Sequence, residues 1–339
     1  MEGDLVHDVE SGLKETRANL REWMESASEG KLETQLGAAG TTAVQEHLHV
    51  VGQTLEKVEA GTFGICEVCH EPVDEALLRM DYTSCICLGH FTEPELRELE
   101  RELELSQVVQ RALLPQRPPS IPGIDTAGFS RPAKIVSGDY FDFVRFKDGS
   151  HGVIVGDVSG KGVSAAMLMT SLQTAFQTMA PEATSPLEIL ERINRLYLHN
   201  IKFTTFVTLF VGQYEPRERR FTYANAGHNS GYLLRGGTGE EQWLHPTGPA
   251  IGLTEGRLTR VEAVELRPGD NLLLYTDGVT EATNAAGEFF GEDRLAAAMQ
   301  QNAAASAEGL VQAVVKDLAD FTQRSETSDD TTLVLLKAR

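Results

Sequence analysis

Residues 115–339 are predicted to fold as an α+β sandwich. Six short apolar runs with the length and composition of β-strands recur there: GVIVGDVS, FVTLFVGQYE, RFTYANAGH, GYLLR, DNLLLYTDG and TTLVLLKAR. Glycine, proline and asparagine turn signals separate the runs. Helical stretches interrupt them at Ser164–Met179, Pro186–Asn200 and Glu292–Ser325. Strands, then helices, then strands again indicate an α+β arrangement.

Residues 1–92 are predicted to form a helical hairpin followed by a small cysteine-containing module. The first helix is expected over Asp4–Ser28 and the second over about 43–60, with the segment GAAGTT between them as the turn. In the second helix four apolar residues recur at helical spacing and mark the face that packs in a core: Leu48, Val51, Leu55 and Val58.

A further helix is expected over residues 93–114, and Pro115 ends it. Leu96, Leu99 and Leu103 are spaced by three and four residues, as in a short coiled coil. Two interpretations remain open. Either this helix pairs with its counterpart in a second chain, which would give a homodimer, or it is a linker that lies on the next domain.

The composition bounds the function. A chain of 339 residues is long enough for two domains, and the predicted boundaries are 1–92, 93–114 and 115–339. The formal net charge of -20 argues against nucleic acid or an anionic membrane as a partner. No apolar run reaches the roughly eighteen residues of a membrane helix. The N-terminal segment MEGDLVHDVE lacks the features of a signal peptide, which predicts a cytoplasmic protein.

All four cysteines lie between Cys66 and Cys87. Cys66 and Cys69 form a C-x-x-C pair, and Cys87 begins a C-x-x-H pair that ends at His90. This spacing is typical of a structural zinc site, because each tight turn presents two ligands to a tetrahedral ion. We therefore expect one Zn ion on Cys66, Cys69, Cys87 and His90, with Cys85 left over. The alternative is a group of buried, inert thiols.

The segment EKVEAGTFGICEVCHEPVDEALLRM resembles the zinc finger of the TraR/DksA group, over roughly residues 40–90. In that group the finger follows a helical hairpin, and a long coiled coil reaches into RNA polymerase. Here the hairpin is short, and His90 stands where members usually carry a fourth cysteine. The module is therefore interpreted as a regulatory or dimerising element.

Four aspartate motifs occur in the C-terminal region: SGDYFDF, GDVSGKG, YTDGVTEA and SDDTTLVLL. Asp157 and Asp277 follow apolar runs, and Asp329 precedes one. An Asp-Gly after a strand is more often only a turn. Four such motifs in one domain, however, would bring together carboxylates that repel one another without a cation. Oxygen ligands suit Mg or Mn, and two such ions can clamp a phosphoryl group for attack by water.

In this order, and together with NAGHN at 225–229, the motifs resemble the PPM phosphatases in their SpoIIE/RsbU-like branch, over about residues 104–338. The resemblance implies a β-sandwich of two antiparallel sheets flanked by helices, with the metals in a cleft. It also implies hydrolysis of phosphoserine or phosphothreonine by metal-activated water, without a phosphoenzyme.

The resemblance assigns roles by motif. Asp157 would bridge two Mn or Mg ions, and the Val158 carbonyl would bind one of them. Asp277 and Asp329 would hold the other ion, and Asp139 would bind a metal directly or through water. Four further residues are expected around these ligands: Asp142, Asn225, His228 and Asp330.

The general acid stays open. Ser159 stands where eukaryotic-type relatives place a histidine that can protonate the leaving group. Water at the metal site is one candidate, and His228 is another. The alternative for His228 is a structural hydrogen bond beside Asn225.

Two functions of different class fit these patterns. The first is a phosphatase that acts on a regulatory phosphoprotein, an anti-sigma factor antagonist according to the resemblance, with the zinc module as sensor or dimer platform. The second is an RNA polymerase-binding or scaffold regulator with an inactive phosphatase domain. Inactive relatives of enzymes lose metal carboxylates, and here all of them are present, which favours the enzyme. A two-metal nuclease is disfavoured by the acidic charge and the absence of a basic strip.

Overall fold

The computed structural model describes residues 6, 10, 13–14, 17, 48–73, 78, 85–90, 92–159, 162–200, 206–253, 260–323 and 329–339. The chain divides into two compact units, Met1–Arg101 and Glu102–Arg339. Most of the predicted first helix and the whole turn at 37–42 lie outside the described residues, as do Gly160 and Lys161 of the GDVSGKG motif.

In the first unit, helix α1 covers 48–59, where Val51 and Leu55 are buried against Leu13. A second small core follows it and includes Phe63, Cys66, Val73 and Leu78. Helix α2, Glu93–Leu113, begins in the first unit and ends in the second, close to the bounds expected from the sequence.

Ten strands form two sheets in the second unit: β1 (Ile124–Arg131), β2 (Asp139–Arg145), β3 (His151–Val158), β4 (Val207–Glu215), β5 (Arg220–Ala226), β6 (Gly231–Leu234), β7 (Glu241–Leu244), β8 (Glu262–Glu265), β9 (Asn271–Tyr275) and β10 (Thr331–Ala338). The first sheet has the order β1-β10-β9-β6-β7 and the second has the order β2-β3-β4-β5-β8. All the paired strands of these two sheets run antiparallel. Six of the strands correspond to the six predicted runs, and β1, β2, β7 and β8 were not predicted.

Four longer helices accompany the sheets: α3 (Val163–Met179), α4 (Pro186–Asn200), α5 (Gly291–Gln301) and α6 (Ala307–Phe321). The prediction of one helix over Glu292–Ser325 was wrong, because the chain turns between α5 and α6. Ser306 caps α6 there, since its hydroxyl oxygen accepts a hydrogen bond from the Gly309 N–H at 3.2 Å. Within the described ranges, no helix is long and apolar enough to cross a bilayer.

Alternation along the strands builds three layers of core. One face of the second sheet packs against α3 and α4 through residues such as Tyr140 and Ile154. One face of the first sheet packs against α5 and α6 through residues such as Leu273 and Leu335. The remaining faces pack on each other and bury an apolar layer that includes Phe210. The predicted α+β fold of two antiparallel sheets flanked by helices is confirmed.

Candidate active site and cysteine cluster

Two of the predicted metal ligands are direct neighbours in the second sheet. Asp139, the first residue of β2, lies opposite Asp157 near the end of β3. The Thr276 hydroxyl donates a hydrogen bond to Asp139 Oδ2 at 2.8 Å, and the Asp139 N–H donates to Ser137 Oγ at 3.0 Å. Because Thr276 directly follows β9, this bond connects Asp139 to the first sheet.

The other two predicted ligands come from the first sheet. Asp277 begins a single helical turn, Asp277–Thr280, just after β9, and Asp329 lies just before β10. A Cβ atom at Gly278 would lie 1.9 Å from the Asp330 carbonyl oxygen. Only glycine therefore allows the two acidic segments to pack this closely.

Asp330 holds the loop that precedes β2. Its Oδ1 accepts a hydrogen bond from the Ala133 N–H at 2.8 Å, and its Oδ2 accepts one from the Gly138 N–H at 2.7 Å. Both contacts join the start of β10 to residues that lead into Asp139. In this structure the carboxylate is occupied with backbone groups, which suits a supporting role.

A cleft of about 550 Å³ brings three of the four predicted carboxylate ligands together. Its lining includes five acids, which are Asp157, Asp277, Glu281, Glu292 and Asp329. In the ranges that the structure describes, no lysine or arginine is among the residues that line it. Asp139 is only 2% exposed and lies outside the cleft lining.

The acids do not form a tight cage. In the part of the chain that the structure describes, the side chains that bring three possible ligand atoms within 4.8 Å of one another are cysteines, not aspartates. This wider spacing suits ions such as Mg, which bind one or two carboxylates and keep several waters.

Burial is the main reason why the pKa of the Asp139 carboxyl lies well above its usual range. The charge of Asp157 raises it further, and that of Asp330 also contributes, whereas the hydroxyls of Thr332 and Thr276 act in the opposite direction. A cation in the cleft would relieve this repulsion and favour the ionised carboxylate.

Gly138 leaves room for two oxygens beside Asp139. A Cβ atom at this position would lie 3.1 Å from the Val158 carbonyl oxygen and 3.5 Å from Asp157 Oδ1. The two predicted oxygen ligands of β3 are therefore near each other and next to the start of β2.

The NAGHN loop after β5 is fixed by its own asparagine. Asn225 Oδ1 accepts a hydrogen bond from the His228 N–H at 2.8 Å, and Asn225 Nδ2 donates to the carbonyl oxygens of His228 and Asn229, both at 3.1 Å. Gly227 has a φ of 67°, and a Cβ atom there would lie 2.9 Å from the Ala250 nitrogen. The loop thereby directs His228 inward.

His228 is 2% exposed and contacts β4 through a 2.8 Å hydrogen bond between its Nδ1 and the Thr208 hydroxyl. Thr208 lies opposite Asp157 in the sheet. Burial lowers the pKa of His228 to about 4, although the Tyr275 backbone acts in the opposite direction. The imidazole is therefore neutral at neutral pH, and its tautomer decides whether Nδ1 accepts from the Thr208 hydroxyl or donates to it.

Asp142 is separated from the other acids. It lies three residues after Asp139 on β2, so its side chain points to the opposite face of the sheet. There it accepts hydrogen bonds from the Tyr140 hydroxyl at 2.8 Å and from Gln177 Nε2 of α3 at 2.7 Å. Burial raises the pKa of the Asp142 carboxyl. Its contacts fasten α3 to the sheet and do not reach the cleft.

The cysteine cluster brings together three of the four predicted zinc ligands. The Sγ atoms of Cys66, Cys69 and Cys87 all lie within 4.8 Å of one another, and those of Cys69 and Cys87 are 3.8 Å apart. His90 and Cys85 are described by the structure but are not in this group. His90 ends a short turn, Leu88–His90, and its ring is exposed.

Backbone amides surround the Cys66 sulfur. Burial raises the pKa of this thiol, but N–H groups of Cys69, Cys87 and Val68 outweigh it and lower the pKa to about 6. The Cys87 N–H lies 3.4 Å from Cys66 Sγ. Amides that stabilise a thiolate in this way favour a bound cation over an inert buried thiol.

Two contributors to the site were not predicted from the sequence. Thr276 lies between β9 and Asp277, and its hydroxyl oxygen also accepts a hydrogen bond from the Thr332 N–H at 3.0 Å. Gln110 of α2 bonds to both backbone groups of Ser137: its Nε2 lies 2.7 Å from the Ser137 carbonyl oxygen, and its Oε1 lies 2.9 Å from the Ser137 nitrogen. A polar residue directly before Asp277 was a signal for Thr276, whereas α2 offered none for Gln110.

Comparison with known proteins identifies the family. The family model for stage II sporulation protein E (SpoIIE) matches residues 147–339. The phosphoserine phosphatase RsbU of Bacillus subtilis (strain 168) is 30% identical over 243 residues, which are 72% of this chain and 72% of that protein. The chain belongs to the SpoIIE family. Its second unit carries a PPM-type phosphatase domain, and the prediction of a protein serine/threonine phosphatase is confirmed.

Solved structures agree on the fold of this SpoIIE domain. The SiaA-PP2C domain of Pseudomonas aeruginosa superposes with a TM-score of 0.64 at 24% identity, over 72% of this chain and 98% of that chain. The RsbU and RsbW domains of Rv1364c from Mycobacterium tuberculosis superpose with a TM-score of 0.56 at 28% identity, over 65% of this chain and 61% of that chain.

Proposed function

We propose that this SpoIIE-family chain is a metal-dependent phosphatase that dephosphorylates serine or threonine on a regulatory phosphoprotein, an anti-sigma factor antagonist. The observation that carries the proposal is the convergence of acids from both sheets. Asp157 reaches the cleft from the second sheet, and Asp277 and Asp329 reach it from the first. The substrate class follows from the resemblance to the RsbU-like branch.

We assign two Mn or Mg ions to this cleft, held by Asp157, Asp277 and Asp329, with Asp139 behind them and the Val158 carbonyl beside Asp157. The donor set supports the assignment, because five of the described residues that line the cleft are acids, whose oxygens suit Mn and Mg. When bound, the ions supply an activated water and neutralise charge that develops on the phosphoryl oxygens.

The residues of the chain position these groups. The Thr276 hydroxyl holds Asp139 Oδ2, and the Asp330 carboxylate holds the loop that leads into it. Since the pKa of Asp139 is raised, cation binding competes with a proton at this carboxyl. His228 is neutral at neutral pH and its Nδ1 is bonded to Thr208, and we assign protonation of the leaving group to water.

The scaffold alternative has no observation of its own in its favour, because the acids of the cleft are intact. The test is phosphate release from a phosphoserine peptide at a series of Mn and Mg concentrations, with a chelator control. We expect turnover that saturates with metal and stops with chelator. Turnover that continues in the presence of chelator would rule out the metal assignment. A folded chain that releases no phosphate under any condition would support the scaffold function instead.

We also assign one zinc ion to Cys66, Cys69 and Cys87. The 3.8 Å separation of the Cys69 and Cys87 sulfurs supports this, since tetrahedral Zn–S bonds of about 2.3 Å place two sulfurs about 3.8 Å apart. His90 is proposed as the fourth ligand. Zinc content measured for the full chain and for His90→Ala tests it. A variant that keeps a full equivalent of tightly bound zinc would show that another group completes the site.

The zinc module is proposed to regulate the phosphatase through α2 or to dimerise it. Gln110 supports the regulatory role, because it connects the end of α2 to the loop before Asp139. An exposed apolar stripe on the same helix supports a homodimer. The stripe consists of Leu105, Val108 and Val109, whose side chains are 63%, 62% and 53% exposed. Removal of residues 1–92 tests both roles. Unchanged activity, metal response and oligomeric state would contradict them.

A further inference from the structure

The lining of the acidic cleft includes two exposed apolar residues. Phe206 and Pro246 are among its lining residues, and both are exposed. The Phe206 side chain is 37% exposed, although aromatic residues nearby in the sequence, such as Phe210 and Phe221, are fully buried. Phe206 is not among the described residues of the apolar cores of the second unit. An exposed aromatic ring that lines a catalytic cleft suits recognition.

The backbone of Phe206 is held firmly beside the acids. Its N–H donates to Ser159 Oγ at 2.9 Å, and its carbonyl oxygen accepts from the Ser159 N–H at 3.0 Å. The next residue, Val207, makes two hydrogen bonds with Ile251, at 3.0 and 2.8 Å. Because Ser159 is two residues after Asp157, the backbone of Phe206 has a fixed place close in the sheet to a predicted metal ligand. A preorganised contact of this kind binds with little loss of conformational entropy.

The charges of the cleft explain why the Phe206 ring matters for the choice of substrate. Among the described residues that line the cleft, none is a lysine or arginine, so none of these side chains offers the phosphate a permanent positive charge. Bound cations would hold any phosphate ester alike. Discrimination between phosphorylated partners must then come from contacts beyond the phosphate, and Phe206 and Pro246 are exposed apolar residues in the described lining of the cleft.

We propose that Phe206, with Pro246, forms an apolar subsite that receives the side chain next to the phosphorylated residue of the protein substrate. The proposal rests on the phosphatase function proposed above. It predicts a preference for phosphoserine flanked by leucine or a similar apolar residue over phosphoserine flanked by small polar residues.

The test compares two phosphoserine peptides of otherwise equal sequence, one with leucine and one with serine on both sides of the phosphoserine. Phosphate release with Mn gives kcat/KM for the full chain and for Phe206→Ala, Phe206→Leu and Phe289→Ala. Phe289 is the matched control, because it is 59% exposed and lies outside the cleft lining.

We expect the wild type and Phe289→Ala to prefer the leucine peptide by about tenfold, the usual effect of a modest apolar contact. Phe206→Ala should lose most of this preference, because kcat/KM should fall for the leucine peptide and stay unchanged for the serine peptide. Phe206→Leu should retain part of the preference. The subsite would be overturned if wild type and Phe206→Ala preferred the leucine peptide equally, or if Phe206→Ala lost kcat/KM equally on both peptides. A wild type that releases no phosphate from either peptide under any metal would overturn the proposed function itself.

Discussion

Gln110 is a buried amide that fastens α2 to the loop before Asp139. Its side chain is 7% exposed, and it bonds at once to the Ser137 carbonyl oxygen at 2.7 Å and to the Ser137 nitrogen at 2.9 Å. The substitution Gln110→Leu keeps a similar volume and removes both bonds. Ser137 is 3% exposed, so water cannot easily replace the lost partner.

The cost follows from the two bonds and the groups left behind. Two buried hydrogen bonds contribute about 2 kcal/mol in total, and an unsatisfied buried amide group costs about 1–3 kcal/mol. We expect Gln110→Leu to lower the free energy of unfolding of the second unit by about 2–4 kcal/mol. Because Ser137 Oγ accepts the Asp139 N–H, we also expect metal affinity to fall about tenfold or more, as for other residues behind metal ligands.

Urea unfolding and the Mn concentration that gives half-maximal phosphate release measure the two effects. A slope of about 2–3 kcal/mol/M turns the expected loss into a midpoint shift of about 1 M. Gln312→Leu is the matched control, since Gln312 is exposed on α6 and donates a hydrogen bond to Glu308 of the same helix. The reasoning would be refuted if Gln110→Leu had the same urea midpoint and the same Mn concentration for half-maximal phosphate release as Gln312→Leu.

Three further changes have definite outcomes. Because the folded pKa of His228 is about 4, below the ordinary value of 6.5, its contribution to stability is complete above pH 6.5 and is lost as the pH falls towards 4. Wild type should therefore lose about 2 kcal/mol more than His228→Gln between pH 7.5 and 5 in urea unfolding, and parallel losses would contradict this. Asp330→Asn replaces the carboxylate that accepts hydrogen bonds from the Ala133 and Gly138 N–H groups, and it should lower both the urea midpoint and phosphate release. An unchanged urea midpoint would refute the supporting role of Asp330. Cys69→Ser should lose bound zinc, whereas Cys85→Ser should keep it. Equal zinc content in the two variants would contradict the assigned zinc site.

The central strands were predictable because both of their faces are buried. The cores of β3, β9 and β10 are continuous apolar runs with acids at their ends, so the pattern predicted these strands and the position of an acid at the end of each. The edge strands β7 and β8 were missed because EQWL and EAVE are short and partly charged.

The supporting residues show where sequence reasoning stops. Asp142 could have been excluded, since three residues along a strand reverse the face and separate it from Asp139. The roles of Gln110 and Thr276 depend on contacts between distant elements, which local spacing does not encode. The convergence of Asp157 with Asp277 and Asp329 came from the resemblance and not from periodicity.

Phosphate release by wild type, Asp277→Asn and Asp293→Asn with saturating Mn tests the central claim most directly. Asp293 is the matched control, because it is an exposed acid of α5 outside the cleft lining. The two-metal site predicts turnover of a phosphoserine peptide by wild type and Asp293→Asn and a loss of at least about 100-fold in Asp277→Asn, since a metal ligand is removed. Turnover by Asp277→Asn equal to that of the control would contradict the assignment of the active site to this cleft.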